Sequence, residues 1–391
     1  MPSEFSNPLL SDLEFGLLRL ESKNQRRSLC DSTGVNLYSN DYLGLSQREE
    51  LREAILAAVQ RAEHVGGTGS RLLSGNFPAW EEVEREFADF AGTEAALYFG
   101  SGYAANTGLL GSLLGKEDLV FSDELNHASL IDGLRLSGAR KEIYGHGDLN
   151  MLESMLKTHA AEGCRKIIVT ESVFSMEGDV ADLEEINGLA EKFGASLIVD
   201  EAHATAVHGP SGRGIVAACG LEERVLAAVH TCGKALASAG AFVCGGKVLK
   251  EHLINHARTF VFSTAMPPYL AGQIDAALRL ARAMDAERQE LLERGREFAF
   301  RLREDGWDVS ASDSQIVPVI IGSNGDALEA TEFLQSEGFA VRAIRPPTVP
   351  EGKARLRLSL TSLTGWNELM RLKEALNRWR ASKEVTAAVR A

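Results

Sequence analysis

The sequence predicts an α/β protein in which a large domain with a mainly parallel central sheet precedes a smaller C-terminal α+β domain. Between about residues 97 and 243, short β-rich runs alternate with helical segments, which is typical of a parallel sheet. A long helical stretch over about 268–304 follows, and beyond it strands and helices recur with a different spacing. We therefore expect an N-terminal helical segment over residues 1–45, a large domain over 46–290 and a small domain over 291–391.

Three helices are predicted in the first ninety residues. A helix is expected over about Leu9–Leu20, and two further helices are predicted by apolar residues that recur at steps of three and four. Glycines between residues 66 and 69 separate these two helices. The apolar residues are Leu51, Ile55, Ala58, Val59 and Ala62 in the first, and Trp80, Val83, Phe87 and Phe90 in the second.

Short β-rich runs predict the strands. Those of the central sheet are expected at Leu97–Phe99, Leu119–Phe121, Lys166–Glu171, Ser196–Asp200, Leu226–His230 and Ala241–Cys244. For the small domain we expect an antiparallel sheet and two helices. Its strands are predicted at Ile316–Ile321, Ala340–Ile344 and Arg355–Leu360, and its helices near Ala327–Glu337 and from Trp366 onward.

The composition excludes several classes of function. The chain has 41 Lys and Arg against 55 Asp and Glu and a formal net charge of −14, which argues against nonspecific binding to nucleic acid or anionic membranes. It has neither a signal-peptide core nor 18 successive uncharged apolar residues, so we expect a cytoplasmic protein without a membrane span. The five cysteines never form a C-x-x-C pair, which predicts neither a disulfide framework nor a zinc site; they are Cys30, Cys164, Cys219, Cys232 and Cys244.

Three short segments place reactive groups at the ends of predicted strands. Gly100–Asn106 opens a helix, where free N–H groups and glycine favour a phosphate, although a plain strand–helix turn is equally consistent. Asp200–His203 ends an apolar strand at the edge where parallel sheets bind ligands; the alternative is a solvated acid and a surface histidine. Lys234 follows another strand among small neutral residues, which would lower the pKa of its amine, although most lysines are solvated surface charges.

Together these segments supply what pyridoxal phosphate requires of a protein: an anion site, a carboxylate for the pyridine nitrogen and a lysine that bonds the aldehyde. Distinctive stretches occur in order along the chain at Ser39–Leu45, Gly69–Gly75, Asp123–Ser129, Glu171–Asp179, Asp200–His203, Thr231–Lys234, Phe262–Pro268, Ile344–Pro350 and Arg355–Leu358. Jointly they resemble the α-oxoamine synthase family of fold-type-I pyridoxal-phosphate-dependent transferases. The resemblance extends over about Leu9–Leu376.

The resemblance implies pyridoxal phosphate as cofactor, no metal, and a role for each matching residue. Lys234 would bond the cofactor and later move the Cα proton of the amino acid. Asp200 would pair with the pyridine nitrogen, His203 with the phenolic oxygen, and His127 would stack on the ring. The other cofactor contacts would be Gly102, Tyr103, Ser175 and Thr231 and, from the other subunit, Thr264. The substrate contacts would be Arg357 on the amino-acid carboxylate and Arg19, His127 and Thr348 on the acyl group.

The reaction implied is the decarboxylative condensation of an amino acid with an acyl thioester, in a homodimer whose active sites lie between subunits. Ile344–Pro350 and Arg355–Leu360 look most like members that join L-alanine to a pimeloyl thioester in biotin biosynthesis. The alternatives are serine palmitoyltransferase, for which Gly69–Gly75 is reminiscent, 2-amino-3-ketobutyrate ligase and 5-aminolevulinate synthase. A non-catalytic family subunit is a further alternative, which the presence of Lys234 disfavours. Coenzyme A and a carrier protein both stay open as the acyl carrier.

The sequence departs from the family pattern near its reactive segments. Ala204, Ala206, Ala235 and Ala237 stand where the family commonly has glycines. Each alanine adds a methyl group and disfavours a positive φ. We expect these changes to affect substrate fit and rate and to leave the class of reaction unchanged.

Overall fold

The computed structural model describes residues 7–29, 31 and 33–390. Within this part the strands are β1 Val35–Asn36, β2 Ala95–Phe99, β3 Leu119–Asp123, β4 Arg140–Tyr144, β5 Lys166–Glu171, β6 Ala195–Asp200, β7 Ala227–Thr231, β8 Ala241–Gly245, β9 Ile316–Gly322, β10 Phe339–Ala340, β11 Ala343–Ile344 and β12 Ala354–Ser359. The α-helices are α1 Pro8–Ser22, α2 Glu49–Arg61, α3 Pro78–Ala91, α4 Gly102–Leu113, α5 Ala128–Ser137, α6 Leu149–Thr158, α7 Leu183–Phe193, α8 Ile215–Ala218, α9 Lys247–His256, α10 Arg258–Val261, α11 Tyr269–Arg282, α12 Asp285–Glu304, α13 Asn324–Ser336 and α14 Trp366–Arg390. Cys30 lies outside the described residues.

The central sheet has seven strands in the order β2-β8-β7-β6-β5-β3-β4. Strands β4, β3, β5, β6 and β7 run parallel, and β8 is antiparallel to both of its neighbours. The predicted mainly parallel sheet is therefore confirmed, and all six predicted strands are present. Strand β4 was not predicted because it lies at the sheet edge, where its charged residues Arg140, Lys141 and Glu142 reach solvent and leave no apolar run.

Apolar side chains alternate between the two faces of this sheet. In β3, Val120 packs with the helices of one face, whereas Phe121 packs with those of the other. Both side chains are fully buried. The sheet is thus fixed from both sides, and the carboxyl ends of its parallel strands provide a rigid edge.

The helical stretch predicted over 268–304 is divided into α11 and α12. Met284, between them, has φ −102° and ψ 42°, outside the helical region. The Arg288 guanidinium donates to the Ala281 carbonyl at the end of α11 and to the Asp285 carboxylate at the start of α12. The guanidinium therefore bridges the end of α11 and the start of α12.

The C-terminal region contains the predicted antiparallel sheet, with strand order β11-β12-β9. The strand predicted at 340–344 is instead two short strands, because β10 pairs with β1 and β11 with β12. The three-region division stays a prediction; its boundary at residue 290 falls inside α12. None of the helices in the described part of the chain has the length and apolarity needed to cross a membrane.

His146 ties together the loops that follow β3 and β5. Its Nδ1 lies 3.1 Å from an Asp123 carboxylate oxygen, and its Nε2 lies 3.0 Å from Asp179. Burial lowers the pKa of His146, but hydrogen bonds to these two carboxylates outweigh it and raise the pKa to about 10. The imidazolium therefore bridges two loops that carry His127 and Ser175.

Candidate active site

A cavity of about 470 Å³ lies at the carboxyl edge of the central sheet. Strands β5, β6 and β7 end at its wall, and the start of α4 closes one side. The sequence-predicted residues that it brings together are Gly102, Tyr103, His127, Asp200, His203, Thr231 and Lys234. The residues of its wall that were not predicted include Asn40, Asn106, Ser129 and Glu171.

The start of α4 forms one end of the cavity. Ser101 caps this helix, and its Oγ accepts a hydrogen bond from the Ala104 N–H at 3.0 Å. A Cβ atom on Gly102 would lie 2.7 Å from Thr231 Cγ2, so glycine permits the helix start to approach β7. The first N–H groups of a helix have no partner within it and favour an anion.

Asp200 occupies the centre of a hydrogen-bond network. One carboxylate oxygen accepts the Ala202 N–H at 2.8 Å, and the other accepts from Asn106 Nδ2 at 2.6 Å. Asn106 also donates to Ser129 Oγ at 2.9 Å. The network therefore connects β6, α4 and α5. Asn106 ends the Gly100–Asn106 motif and lies one helical turn from Gly102, a spacing that could have identified it.

His127 separates the first cavity from a second one. It caps α5, and its Nδ1 accepts the Ser129 N–H at 3.2 Å. Burial lowers the pKa of His127, which favours the neutral ring with its proton on Nε2. The second cavity, of about 640 Å³, is also lined by Ser175, Thr348 and Val349. Ser175 therefore lines the second cavity and not the one that contains Asp200.

Lys234 has the environment of a reactive amine. It is half-buried and follows β7, next to the buried Cys232 and Ala235. Burial lowers its pKa to about 8, although the carboxyl groups of Asp200 and Glu171 act in the opposite direction. A useful fraction of this amine is neutral near pH 8, and the neutral form is the nucleophile.

Arg357 is a buried cation without an anionic partner among the described residues. Its side chain is 7% exposed and donates to Asn40 Oδ1 at 3.0 Å, Ser359 Oγ at 2.6 Å and Tyr42 Oη at 3.3 Å, and to the Ser175 carbonyl. Asn40 lines the first cavity, so Arg357 lies directly behind its wall. A buried guanidinium without a carboxylate counter-ion favours an anion nearby.

Pyridoxal phosphate fits this set of residues. Three polar atoms of the cavity wall have no hydrogen-bond partner in the described structure: Asn106 Oδ1, Glu171 Oε1 and Ser238 Oγ. Buried polar atoms of this kind are usually paired, so a polar ligand would satisfy them. Glu171 is the strongest indication, because burial and the nearby Asp200 raise its pKa well above its usual value.

Besides Arg357, two predicted residues lie outside both cavities. Thr264 is exposed and forms an isolated β-bridge with Ser70. Arg19 is exposed on α1. The roles predicted for them, across a subunit boundary and at the acyl entrance, stay predictions.

Two of the four alanines noted in the sequence adopt left-handed backbone conformations. Ala206 has a φ of 67° and Ala237 a φ of 43°, whereas Ala204 and Ala235 have no positive φ. Ala237 also closes the turn that contains the reactive lysine, since its N–H donates to the Lys234 carbonyl at 2.9 Å. The strain expected from these substitutions is therefore confined to positions 206 and 237.

Comparisons with known proteins identify the family of the chain. A family model described as "Aminotransferase class I and II" matches residues 32–373. The chain is 46% identical over 329 residues to a Bacillus cereus protein named "Putative 8-amino-7-oxononanoate synthase", covering 84% of this chain and 83% of that relative.

Solved structures of two related enzymes share the fold. A serine palmitoyltransferase from S. paucimobilis, with pyridoxal phosphate and myriocin bound, has a TM-score of 0.87 and 27% identity, covering 97% of this chain and 99% of that chain. An 8-amino-7-oxononanoate synthase from Francisella tularensis has a TM-score of 0.76 and 29% identity, covering 91% of this chain and 99% of that chain.

Ala237→Gly should stabilise the protein. A left-handed alanine costs about 1–2 kcal/mol, part of which is offset because glycine has more freedom in the unfolded chain. We expect the free energy of unfolding to rise by up to about 1 kcal/mol in urea titrations. Ala235→Gly is the matched control, because Ala235 lies in the same loop and is 1% exposed. This substitution should lower the free energy of unfolding by about 1 kcal/mol. Equal destabilisation of the two variants would contradict the strain at position 237.

Proposed function

Since the chain belongs to the class I and II aminotransferase family, as an α-oxoamine synthase, we propose that it produces 8-amino-7-oxononanoate. It is a pyridoxal-phosphate-dependent acyltransferase. The proposed reaction joins L-alanine to a pimeloyl thioester and releases CO₂ and the free thiol carrier, in biotin biosynthesis. The name of the Bacillus cereus relative supports this choice of substrates. The observation that carries the proposal is that His127 lines two cavities, which provide separate space for the two substrates of a condensation.

The first cavity would hold the cofactor. The N–H groups of Gly102 and Tyr103 and the Thr231 hydroxyl would bind its phosphate at the start of α4. Asp200 would face the pyridine nitrogen and His203 the phenolic oxygen, with His127 against the ring and Ser175 nearby. When bound, pyridoxal phosphate supplies an electron sink that lets an amino acid lose its Cα proton.

Lys234 would anchor the cofactor and move the proton. An amine with a pKa of about 8 can hold the Cα proton as an ammonium and release it again near neutral pH. Lys234 lines the first cavity, so this proton acceptor would lie beside an amino acid bound there. His127, with a proton on Nε2, would orient the acyl carbonyl from the adjoining cavity.

Arg357 would bind the carboxylate of the amino acid. The guanidinium is buried beside Asn40 and has no carboxylate partner in the described structure, so a substrate carboxylate would compensate its charge. The pimeloyl chain would occupy the second cavity with Thr348, and Arg19 would contact it at the entrance. Arg27 donates to Thr348 Oγ1 at 3.0 Å and would help to fix this hydroxyl.

Serine palmitoyltransferase activity is the second candidate. The observation that favours it is the higher TM-score to a serine palmitoyltransferase, 0.87, than to an 8-amino-7-oxononanoate synthase, 0.76. The residues around the cofactor do not discriminate between the two reactions. The substrates themselves must therefore decide.

Thiol release should identify the substrates. The cofactor-loaded protein is tested with alanine, glycine and serine against pimeloyl and palmitoyl thioesters, each as coenzyme A and carrier-protein forms, with product mass as a second readout. We expect alanine with a pimeloyl thioester to be preferred. Turnover with serine and palmitoyl thioester, and none with alanine and pimeloyl thioester, would overturn the proposal in favour of the second candidate.

In the same assay, Lys234→Ala should lose at least about 10³-fold in rate, since the covalent and proton-transfer steps both need its amine. Borohydride treatment should then leave no cofactor attached to the chain by mass spectrometry. The control is Lys157→Ala, an exposed lysine on α6. A Lys234→Ala variant with near-normal turnover would contradict the assignment of the lysine.

We further propose that the protein is a homodimer in which Thr264 of one subunit contacts the cofactor phosphate of the other. Lys234→Ala and Thr264→Asp homodimers, each impaired in activity on its own, are mixed under conditions in which they exchange subunits. One site of the mixed dimer then carries both defects and the other carries neither, so activity should return toward half per dimer. No recovery after demonstrated exchange would contradict the shared site.

A further inference from the structure

Tyr42 lies between His203 and Arg357 and is fully buried. Its Oη is 2.7 Å from His203 Nδ1, and it accepts a hydrogen bond from Arg357 Nη2 at 3.3 Å. Asn40 Oδ1 is a second possible acceptor, 3.1 Å from the hydroxyl. The hydroxyl therefore has one proton and two acceptors to choose from, and the choice determines which nitrogen of His203 carries a proton.

The short contact indicates that the Tyr42 hydroxyl donates its hydrogen bond to His203 Nδ1. Asn40 Oδ1 already accepts from Arg357 Nη1 at 3.0 Å, and a guanidinium donates only. Burial raises the pKa of Tyr42, so the phenol keeps its proton. The pattern that satisfies all the groups has Arg357 donating to Tyr42 Oη and Tyr42 donating to His203 Nδ1.

The imidazole of His203 is then restricted to one tautomer. Burial, together with the cations of Lys234 and Arg357, lowers the pKa of His203 well below its usual value, so the ring is neutral. With Nδ1 as acceptor, the single ring proton is on Nε2. No described residue bonds to Nε2, and His203 lines the cofactor cavity, so this N–H is available to a ligand there.

The backbone of His203 is held separately. Gln315 Nε2 donates to the His203 carbonyl at 2.8 Å, and His208 Nε2 lies 3.0 Å from Gln315 Oε1. These contacts fix the main chain and leave Nδ1 to Tyr42. The orientation and the tautomer of the ring thus depend on a residue that does not line the cavity.

We propose that Tyr42 is a positioning residue that fixes His203 with its proton on Nε2, ready to donate to an anionic oxygen of the cofactor. The inference rests on the proposed placement of the phenolic oxygen beside His203. It does not depend on which amino acid or thioester is the substrate.

The test is a spectroscopic titration of the substrate-free holoenzyme. An N–H donor on Nε2 stabilises the deprotonated phenolic oxygen of the cofactor. Without the Tyr42 hydroxyl the ring proton is no longer fixed on Nε2, so part of this hydrogen bond is lost. Tyr42→Phe should therefore make the visible chromophore of the bound cofactor a roughly 3- to 10-fold weaker acid. Tyr144→Phe, which removes another buried hydroxyl outside the cavity, should leave the titration unchanged.

A double-mutant cycle separates positioning from a general structural effect. In a His203→Gln background, Tyr42→Phe should add no further change, because its effect passes through the imidazole. An unchanged titration in Tyr42→Phe, or an equal change in the His203→Gln background, would overturn the proposal. The ¹⁵N shifts of His203 in the unmodified holoenzyme provide a measurement that needs no variant of Tyr42: a proton on Nε2 supports the proposal and one on Nδ1 overturns it. Since no substrate is used, failure here is distinct from failure of the proposed reaction.

Discussion

Strands β5 and β6 end in register, so Glu171 and Asp200 lie opposite each other at the wall of the cavity. Burial and the neighbouring Asp200 carboxyl group raise the pKa of Glu171 well above its usual value. The cations of Lys234 and Arg357 lie in the same region. The pKa values of Glu171 and Lys234 therefore depend on these neighbours, and the sheet register sets how close Glu171 and Asp200 are.

The secondary structure holds this charge cluster rigidly. Asp200 accepts from Asn106 on α4 and from the Ala202 backbone, and Ser129 links Asn106 to His127. The close approach of Gly102 to Thr231 brings the amino end of α4 to the same edge. Groups fixed on packed helices and strands need little reorganisation during a reaction, which favours electrostatic stabilisation of developing charge.

The sequence predicted the parts of the fold that local pattern determines. The apolar strands of the central sheet are found with ends shifted by no more than two residues, whereas β4 was missed because its charged residues lie at an edge. The break before Asp285 depends on Arg288 reaching Ala281, which residue spacing does not reveal. The positions of Lys234 and Asp200 in the cavity could be predicted, because Lys234 follows a recognisable strand and Asp200 ends one. The contributions of Tyr42 and Glu171 depend on contacts with distant parts of the chain, and no local motif marks them.

Burial and the charged groups around the cavity together set the pKa of the Lys234 amine. The most direct measurement is the pH dependence of the rate at which the cofactor-free protein captures pyridoxal phosphate covalently. We predict an apparent pKa of about 8 for Lys234. It should be lower in Asp200→Asn, which removes a carboxylate that raises the pKa, and higher in Arg357→Met, which removes a cation that lowers it. An apparent pKa near 10.5 in the unmodified protein, or one that neither substitution changes, would contradict this origin of the Lys234 pKa.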